Sequence, residues 1–500
     1  MHGVIEGAGV RFPLAGMLAA TGGALRAHAA GGATGVSTDS RSVAPGELFV
    51  ALSGPREMPV RIVGDSHRFV GDAFRRGAWG ALVDETALAG AALAAELQRW
   101  PDRAVIAVPD TLAALGELAA WHRRRCPARV VGVTGSNGKT TTSGMTAAIA
   151  AQRWRVHRTA GNLNNLLGLP LTLLALRPEH EIAVVELGMN RPGEIRRLAE
   201  IAAPDIAVVT NVAPVHLEGV GSLAGVAAAK AEILAGLAPA GTAVLNADDP
   251  STPALAARWP GTTLRFGLAP GADVRAEAIE PDGRGTAFTL ALPDGARCRI
   301  ELPWLGEHNV CNALAAAAAA HALGASAAQI RAGLAAARPA PMRFEVRAFA
   351  PGVTIVNDAY NANPASMRAA LDALARLPRA TRSALVLGDM LELGAASPQE
   401  HRALGAAAAA AGPNLLLAVG AFADETAAGA RAAGLPAAGV ATAADAAAAG
   451  DLLAAWLRPG DRVLLKGSRG VRLEGVIERL LAAGAIREES AAPAAAGGRG

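Results

Sequence analysis

The sequence predicts an α/β protein of about three domains built on doubly wound parallel sheets. Three observations carry this. The length of 500 residues, at roughly 150 per domain, leaves room for about three cores. From Val130 onward, short continuous apolar runs alternate with helical stretches, the pattern of parallel strands buried on both faces. At 338–343 the segment RPAPMR interrupts that alternation with prolines, which remove backbone donors and stiffen a joint. The alternation then restarts.

In chain order, Arg11–Ala30 has a basic start, an apolar stretch and an A-x-A-like end, as a secretory signal does. Glu6 precedes it, and Pro13, Gly16, Gly22 and Gly23 break its apolar core, so it reads as an amphipathic first helix. Short strands follow at 48–52, 81–83 and 104–108, among alanine-rich helices. VVGVTG at 130–135 leads into a helix from Lys139, AVVELG at 183–188 into one near Glu194, and IAVVTN at 206–211 into one near Leu223. TAVLNA at 242–247 precedes another helix. Residues 286–302 form a hairpin turning at Pro293–Gly295, and helices run from about His308 to Ala337. Beyond the joint, strands at 354–358, 383–389, 415–420 and 462–467 alternate with helices, two of them starting at Pro364 and Pro398. Residues 486–500 are small, polar and Gly/Pro-rich, the composition of a frayed tail.

Composition narrows the function. The 47 basic and 44 acidic residues leave a net charge of +3, too balanced for a nucleic-acid binder. Hydrophobic residues make up 51% and charged ones 18%, which excludes disorder for the chain as a whole. The mean hydropathy of +0.27 is inflated by alanine and glycine, and the alanine excess, which also fills loops and the tail, reads as coding bias. The most apolar window, Ala403–Phe422, is broken by Gly412, Pro413 and Asn414, and no run reaches the ~20 residues of a spanning helix. Cys126, Cys298 and Cys311 are far apart and odd in number, so neither a disulfide framework nor a zinc site is indicated. The expectation is a soluble cytoplasmic protein without membrane insertion.

The strongest motif is VVGVTGSNGKTT at 130–141, a strand, a glycine-rich loop and a helix start. Glycines let backbone N–H groups curl around a phosphate, and the helix N-terminus adds partial positive charge. Lys139 can reach the β- and γ-phosphates and the Thr140 hydroxyl can ligate Mg²⁺. The strict pattern would need glycine at position 133, which is valine, so this is a shortened GxxGKT variant. ATP binding follows. Mg²⁺ prefers oxygen ligands, and Glu186 ends the next strand, where ligands gather in open α/β sheets. His216 follows the strand after that, and Lys230 lies fourteen residues on. Each alone reads equally well as a helix cap, a structural histidine or a solvated lysine; their shared location beside the loop marks them as candidates.

Taken together, TGSNGKTT, NVAPVHLEG with Lys230, GEHNVCNALAA at 306–316 and Arg343 resemble the Mur ligase family, the ATP-dependent amide-forming enzymes of peptidoglycan synthesis. TAGNLNNLLGLP at 159–170, ELGMNRPGEI at 186–195, NDAYNANPASM at 357–367, LGDMLELG at 387–394 and LKGSRG at 465–470 are similar to the branch that joins D-alanyl-D-alanine to UDP-N-acetylmuramoyl-tripeptide. The resemblance runs from about Thr38 to Glu474. It implies a smaller N-terminal α/β domain for the UDP-sugar (1–126), a central parallel-sheet P-loop ATPase domain (127–341), a C-terminal Rossmann-like domain (342–485) and a flexible tail (486–500), acting as a monomer.

By the same resemblance, Lys139, His216, Lys230 and Arg343 serve catalysis. ATP contacts fall to Gly135, Ser136, Asn137, Gly138, Lys139, Thr140 and Thr141, with Asn309, Asn312, Arg343, Asp358, Tyr360 and Asn361. Ser40 and Arg41 line the UDP site, Asn162, Asn164 and Asn165 belong to the block that meets the sugar-peptide substrate, and Lys466, Ser468 and Arg469 receive the incoming amino component. The family carries a carbamate at the lysine matching Lys230, which would hold a second Mg²⁺ with His216 while Thr140 and Glu186 serve the first. One departure stands out: where the family has a short stretch ending in Asp-Gly-His, this chain has the longer PREMPVRIVGDSHRF at 55–69, with Ser66 in the glycine's place. The rival readings are a related ligase adding the third amino acid, a folate polyglutamate ligase, or a nucleotide-binding regulator without catalysis.

Overall fold

The computed structural model describes residues 11–27, 30–54, 64–282, 285–377 and 380–488. The first part of the chain builds a five-stranded sheet in the order Ala24–Ala27, Ala104–Val108, Gly80–Asp84, Leu48–Val50, Val36–Ser37, parallel except at the Ala24–Ala27 edge. That edge corrects the expected first helix. The helix spans only Leu14–Thr21 and stops at Gly22, whose φ of 63° closes its C-terminus; the chain then returns as a strand antiparallel to Ala104–Val108. Gly22 and Gly23 are a stop signal, not interruptions within a helix. Residues 55–63 of the longer loop lie outside the described residues. The Ser66 that ends the departure is firmly held: its Oγ accepts from Leu52 N–H at 2.6 Å and donates to Leu52 C=O at 2.8 Å.

The central sheet has nine strands. From one edge they run Arg297–Leu302, Gly285–Ala291, Val274–Asp282, Thr262–Gly267, Thr242–Asn246, Ile206–Val209, Arg129–Thr134, Ile182–Glu186, Val156–Arg158. The expected hairpin at 286–302 is present and, with Val274–Asp282, forms an antiparallel wing on an otherwise parallel sheet. The phosphate-loop strand Arg129–Thr134 lies between Ile182–Glu186 and Ile206–Val209, so all three carboxyl ends open into one crevice. Helices Lys139–Ala150, Glu307–Ala322 and Ala327–Ala336 share one core with the sheet. Here the alanine excess has a structural use: Ala313 and Ala315 to Ala320 are fully buried, and side chains this small let a helix lie close to its neighbours.

The joint at 338–343 leads into the second large sheet, of seven strands, ordered Val440–Ala443, Leu415–Val419, Arg382–Gly388, Asp461–Lys466, Val353–Asn357, Glu345–Ala350, Arg487–Glu488. The first five strands are parallel and the last two antiparallel. The first residues of the stretch expected as a tail are part of the fold. Ile486 is buried, and Arg487–Glu488 pairs with Phe349 and Ala350; residues 489–500 lie outside the described residues. Among the described residues no helix is long and apolar enough to cross a membrane.

Candidate active site

A cleft of about 790 Å³ opens between the carboxyl ends of the central sheet and the second sheet. Its floor is the phosphate loop. Gly138 adopts φ 82°, and a Cβ there would come within 2.2 Å of Asn312 Oδ1, so only glycine lets the loop pass beneath the Glu307–Ala322 helix. Thr210 and Asn211, at the end of the neighbouring strand, hold the loop open. Thr210 Oγ1 donates to Asn137 C=O at 2.6 Å, and Asn137 N–H donates to Asn211 Oδ1 at 3.0 Å. Ser136 Oγ exchanges hydrogen bonds with Ala213. Lys139 Nζ folds back onto Gly135 C=O at 2.6 Å. Burial on the cleft floor lowers its pKa to about 8, against a raising effect of Glu186 and a lowering one of Arg343.

Glu186 and Thr140 are brought together as expected: Thr140 Oγ1 donates to Glu186 Oε2 at 3.1 Å, and Ser143 Oγ donates to Oε1 at 2.9 Å. Arg343 reaches the same hydroxyl, with Nη2 donating to Thr140 Oγ1 at 2.9 Å. Its guanidinium lies 4.0 Å from the Tyr360 ring centroid, a cation–π contact. Its buried Nε has no hydrogen-bond partner. Met342 and Phe344 on either side both adopt left-handed φ, 59° and 52°. Such strain persists only where neighbours impose it, and here Phe344 N–H donates to Asp358 Oδ1 at 3.0 Å while Tyr360 N–H donates to Met342 C=O.

Asn309 and Asn312 line the cleft, Asn309 Nδ2 donating to Leu305 C=O at 2.9 Å and Asn312 Nδ2 to Asn309 Oδ1 at 3.3 Å. Asn361 lines it from the opposite wall, and so do Asn162 and Asn164. Asn165 does not: its Oδ1 caps the next helix, accepting from Gly168 N–H at 2.8 Å. Ser40 and Arg41 lie on the first sheet's domain, away from this cleft, with Arg41 paired to Asp39 at 2.7 Å.

Lys466 and Ser468, expected to receive the incoming amino component, line the cleft with their side chains largely buried. Lys466 is 3% exposed, and its ammonium is taken by Asp358 Oδ2 at 2.7 Å and Asn361 C=O at 3.0 Å. Ser468 Oγ accepts from Leu391 N–H at 3.0 Å. Arg469 alone of the three reaches outward, its side chain 54% exposed beside Glu474. His216 and Lys230, expected to share a second Mg²⁺, have different surroundings. His216, at φ 53°, bonds through Nδ1 to Glu392 of the second sheet's loop, itself at φ 65°. Lys230 is completely buried, with no hydrogen-bond partner for Nζ. Burial and then the nearby Lys139 push its pKa well below the usual lysine value, against Glu194 and Glu232.

The sequence reading missed Thr210, Asn211, Ser143, Asn363 and Glu392. Thr210 and Asn211 carried a signal, since they end a strand adjacent to the loop strand. Asn363 carried another, as asparagine before Pro364: it caps the Pro364–Ala375 helix and its Nδ2 donates to Asn137 Oδ1 at 2.6 Å.

Comparison with known proteins agrees with this geometry. Residues 133–320 match the Mur ligase middle domain, and 342–469 match the Mur ligase, glutamate ligase domain. The UDP-N-acetylmuramoyl-tripeptide–D-alanyl-D-alanine ligase of Escherichia coli strain K12 is 41% identical over 89% of this chain and 93% of its own. The Bacillus subtilis strain 168 enzyme of the same name is 37% identical over 89% and 93%. Among solved structures, MurF from Acinetobacter baumannii superposes with a TM-score of 0.83 at 33% identity, covering 94% of this chain and 99% of that one. MurF ligase from Thermotoga maritima in complex with ADP gives 0.72 at 28% identity, over 89% and 96%.

Proposed function

The chain belongs to the Mur ligase family, and on that premise we propose that it joins D-alanyl-D-alanine to UDP-N-acetylmuramoyl-tripeptide, cleaving ATP to ADP and phosphate. The observation that carries the reading is the cleft itself, which faces a phosphate loop on one sheet with Arg343, Asp358, Tyr360 and Arg469 on the other side of the joint. A carboxylate does not react with an amine near neutral pH, because its oxygen is a poor leaving group. The tripeptide carboxylate therefore attacks the γ-phosphorus, the bond from that phosphorus to the β-phosphate oxygen breaks, and ADP leaves. The dipeptide amine then attacks the acyl carbon, loses its proton, and expels phosphate. No covalent enzyme intermediate forms, so the protein's part is positioning and charge neutralisation.

In that scheme the loop N–H groups and the N-terminus of Lys139–Ala150 cradle the phosphates. Lys139 leaves Gly135 C=O for the β- and γ-phosphates, and Arg343, already on Thr140 with its Nε free, meets the γ-phosphoryl group. We assign Asn309, Asn312, Asp358 and Asn361 to the nucleoside, and Ser40 and Arg41 to the UDP end of the other substrate, as the family resemblance implies. Thr140 and Glu186 suit Mg²⁺, offering hard oxygens 3.1 Å apart; bound there, the ion would neutralise phosphate charge. We assign Lys230 as the carbamate-bearing lysine, on the strength of its buried, unpartnered amine. We read the enzyme as a cytoplasmic monomer, as the family resemblance implies.

Phosphate release that requires ATP, UDP-N-acetylmuramoyl-tripeptide and D-alanyl-D-alanine together is the expected result. Preference for UDP-muramyl dipeptide with free L-lysine or meso-diaminopimelate would instead favour the ligase adding the third residue. A pH dependence follows from Lys139. Its free-enzyme pKa of about 8 must rise when phosphates surround it, so binding takes up a proton above that pH. ADP affinity is expected to hold up to about pH 8 and then fall by up to about tenfold per pH unit. Calorimetry in Lys139→Arg, whose guanidinium stays charged, should show a flat profile over the same range.

A further inference from the structure

We propose that Glu392 receives the ammonium group of the incoming dipeptide, His216 holding its place until substrate arrives. The inference rests on the ligase reading above and adds a residue to it.

The incoming dipeptide is a zwitterion. Its carboxylate needs a cation and its ammonium an anion. The cleft is rich in cations: Lys139, Arg343, Lys466 and Arg469 all line it. Among the described residues, the acidic side chains in its lining number three, Glu186, Asp358 and Glu392. Both oxygens of Glu186 are held by the Thr140 and Ser143 hydroxyls, and the side chain is almost completely buried. Both oxygens of Asp358 are held, one by Phe344 N–H and one by the Lys466 ammonium. Glu392 differs on each count. It has one partner, His216, and its side chain is 49% exposed.

Placement agrees with this. Glu392 is a non-glycine residue at φ 65°, a conformation that costs energy and persists where the surroundings impose it. It carries the side chain across the joint to His216 on the central sheet. The neighbouring Leu391 N–H donates to Ser468 Oγ, which ties this loop to the segment bearing Arg469. An anion and an outward cation therefore sit on adjacent loops of one sheet. Leu391 itself lines the cleft with its side chain exposed, an apolar surface suited to a methyl-bearing dipeptide.

The test compares D-alanyl-D-alanine with propionyl-D-alanine, the same molecule with hydrogen in place of the ammonium. In Glu392→Gln the KM for D-alanyl-D-alanine is expected to rise about 10- to 100-fold, as for loss of a charge-assisted hydrogen bond. The inhibition constant of propionyl-D-alanine should stay within about twofold, and so should the KM values for ATP and the UDP-tripeptide. Glu392→Asp should recover part of the loss. An unchanged dipeptide KM, or equal weakening of both dipeptide analogues, overturns the assignment. Equal weakening toward all three substrates also overturns it, by making Glu392 a structural tie between the sheets. Failure of the wild-type protein to use the dipeptide at all would overturn the ligase reading first. Should Glu392→Gln not fold, the same comparison in Glu392→Asp decides, since a shorter carboxylate must still weaken the dipeptide more than its des-amino analogue.

Discussion

Lys139→Ala is expected to lower the turnover of ATP with both substrates by about 10³-fold or more, with little loss of fold stability. The kinetic side follows from position. Lys139 opens the helix at the end of the phosphate loop, and its ammonium is bound only to Gly135 and Ser136 carbonyls. Those acceptors are weak compared with a triphosphate, so the side chain is free to transfer to the charge that develops on the γ-phosphoryl group. The stability side follows from the same burial. A lysine whose pKa is lowered to about 8 from 10.5 binds its proton less well folded than unfolded. Between those two values the unfolded chain holds more protons, so the wild-type protein gains stability as pH rises through that window. Alanine removes this burden on the folded state. Denaturation followed from pH 7 to 10 should therefore show the wild type rising toward the variant. Near-wild-type turnover in Lys139→Ala with ATP and Mg²⁺ would defeat the phosphate-loop assignment.

What the sequence made legible, and what it hid, divides along burial. Strands such as Ala104–Val108 and Ile182–Glu186 are buried along their whole length and so read as continuous apolar runs. The edge strands Val156–Arg158, partly exposed, and Arg487–Glu488, exposed, carry no such run and escaped notice. The loop motif announced Lys139 and Thr140 because its chemistry is local: glycines, lysine and hydroxyl act within one turn. Glu392 was silent because its role depends on a left-handed backbone and on a partner 176 residues away in the chain. Lys466 and Arg469 look alike in sequence, two cations three residues apart. Only the packing shows that Asp358 takes the ammonium of the first, largely buried in the cleft wall, while the second is half exposed beside Glu474.

Lys230→Ala is expected to cost at least about 10²-fold in activity while leaving the melting temperature unchanged or raised, and that split is the signature of the proposed carbamate. A bare ammonium at this place would be buried without a hydrogen-bond partner beside a second lysine, the least favourable setting for a cation. Burial and the nearby Lys139 favour the neutral amine, which is the form that adds CO₂: the nitrogen bonds to carbon, one proton leaves, and a negative carbamate with two oxygens results. That change replaces repulsion from Lys139 with attraction and supplies the hard donors that Mg²⁺ prefers. Alanine deletes those oxygens, and short carboxylates such as acetate or formate should restore part of the activity by filling the vacated space. Wild-type protein equilibrated with ¹³C-bicarbonate should show a carbamate carbon resonance that Lys230→Ala lacks. Wild-type-like activity in the variant would defeat the assignment, and so would the absence of that resonance from fully active enzyme. The unchanged melting temperature separates this reading from a structural one, since a lysine that held the core together would take stability with it when removed.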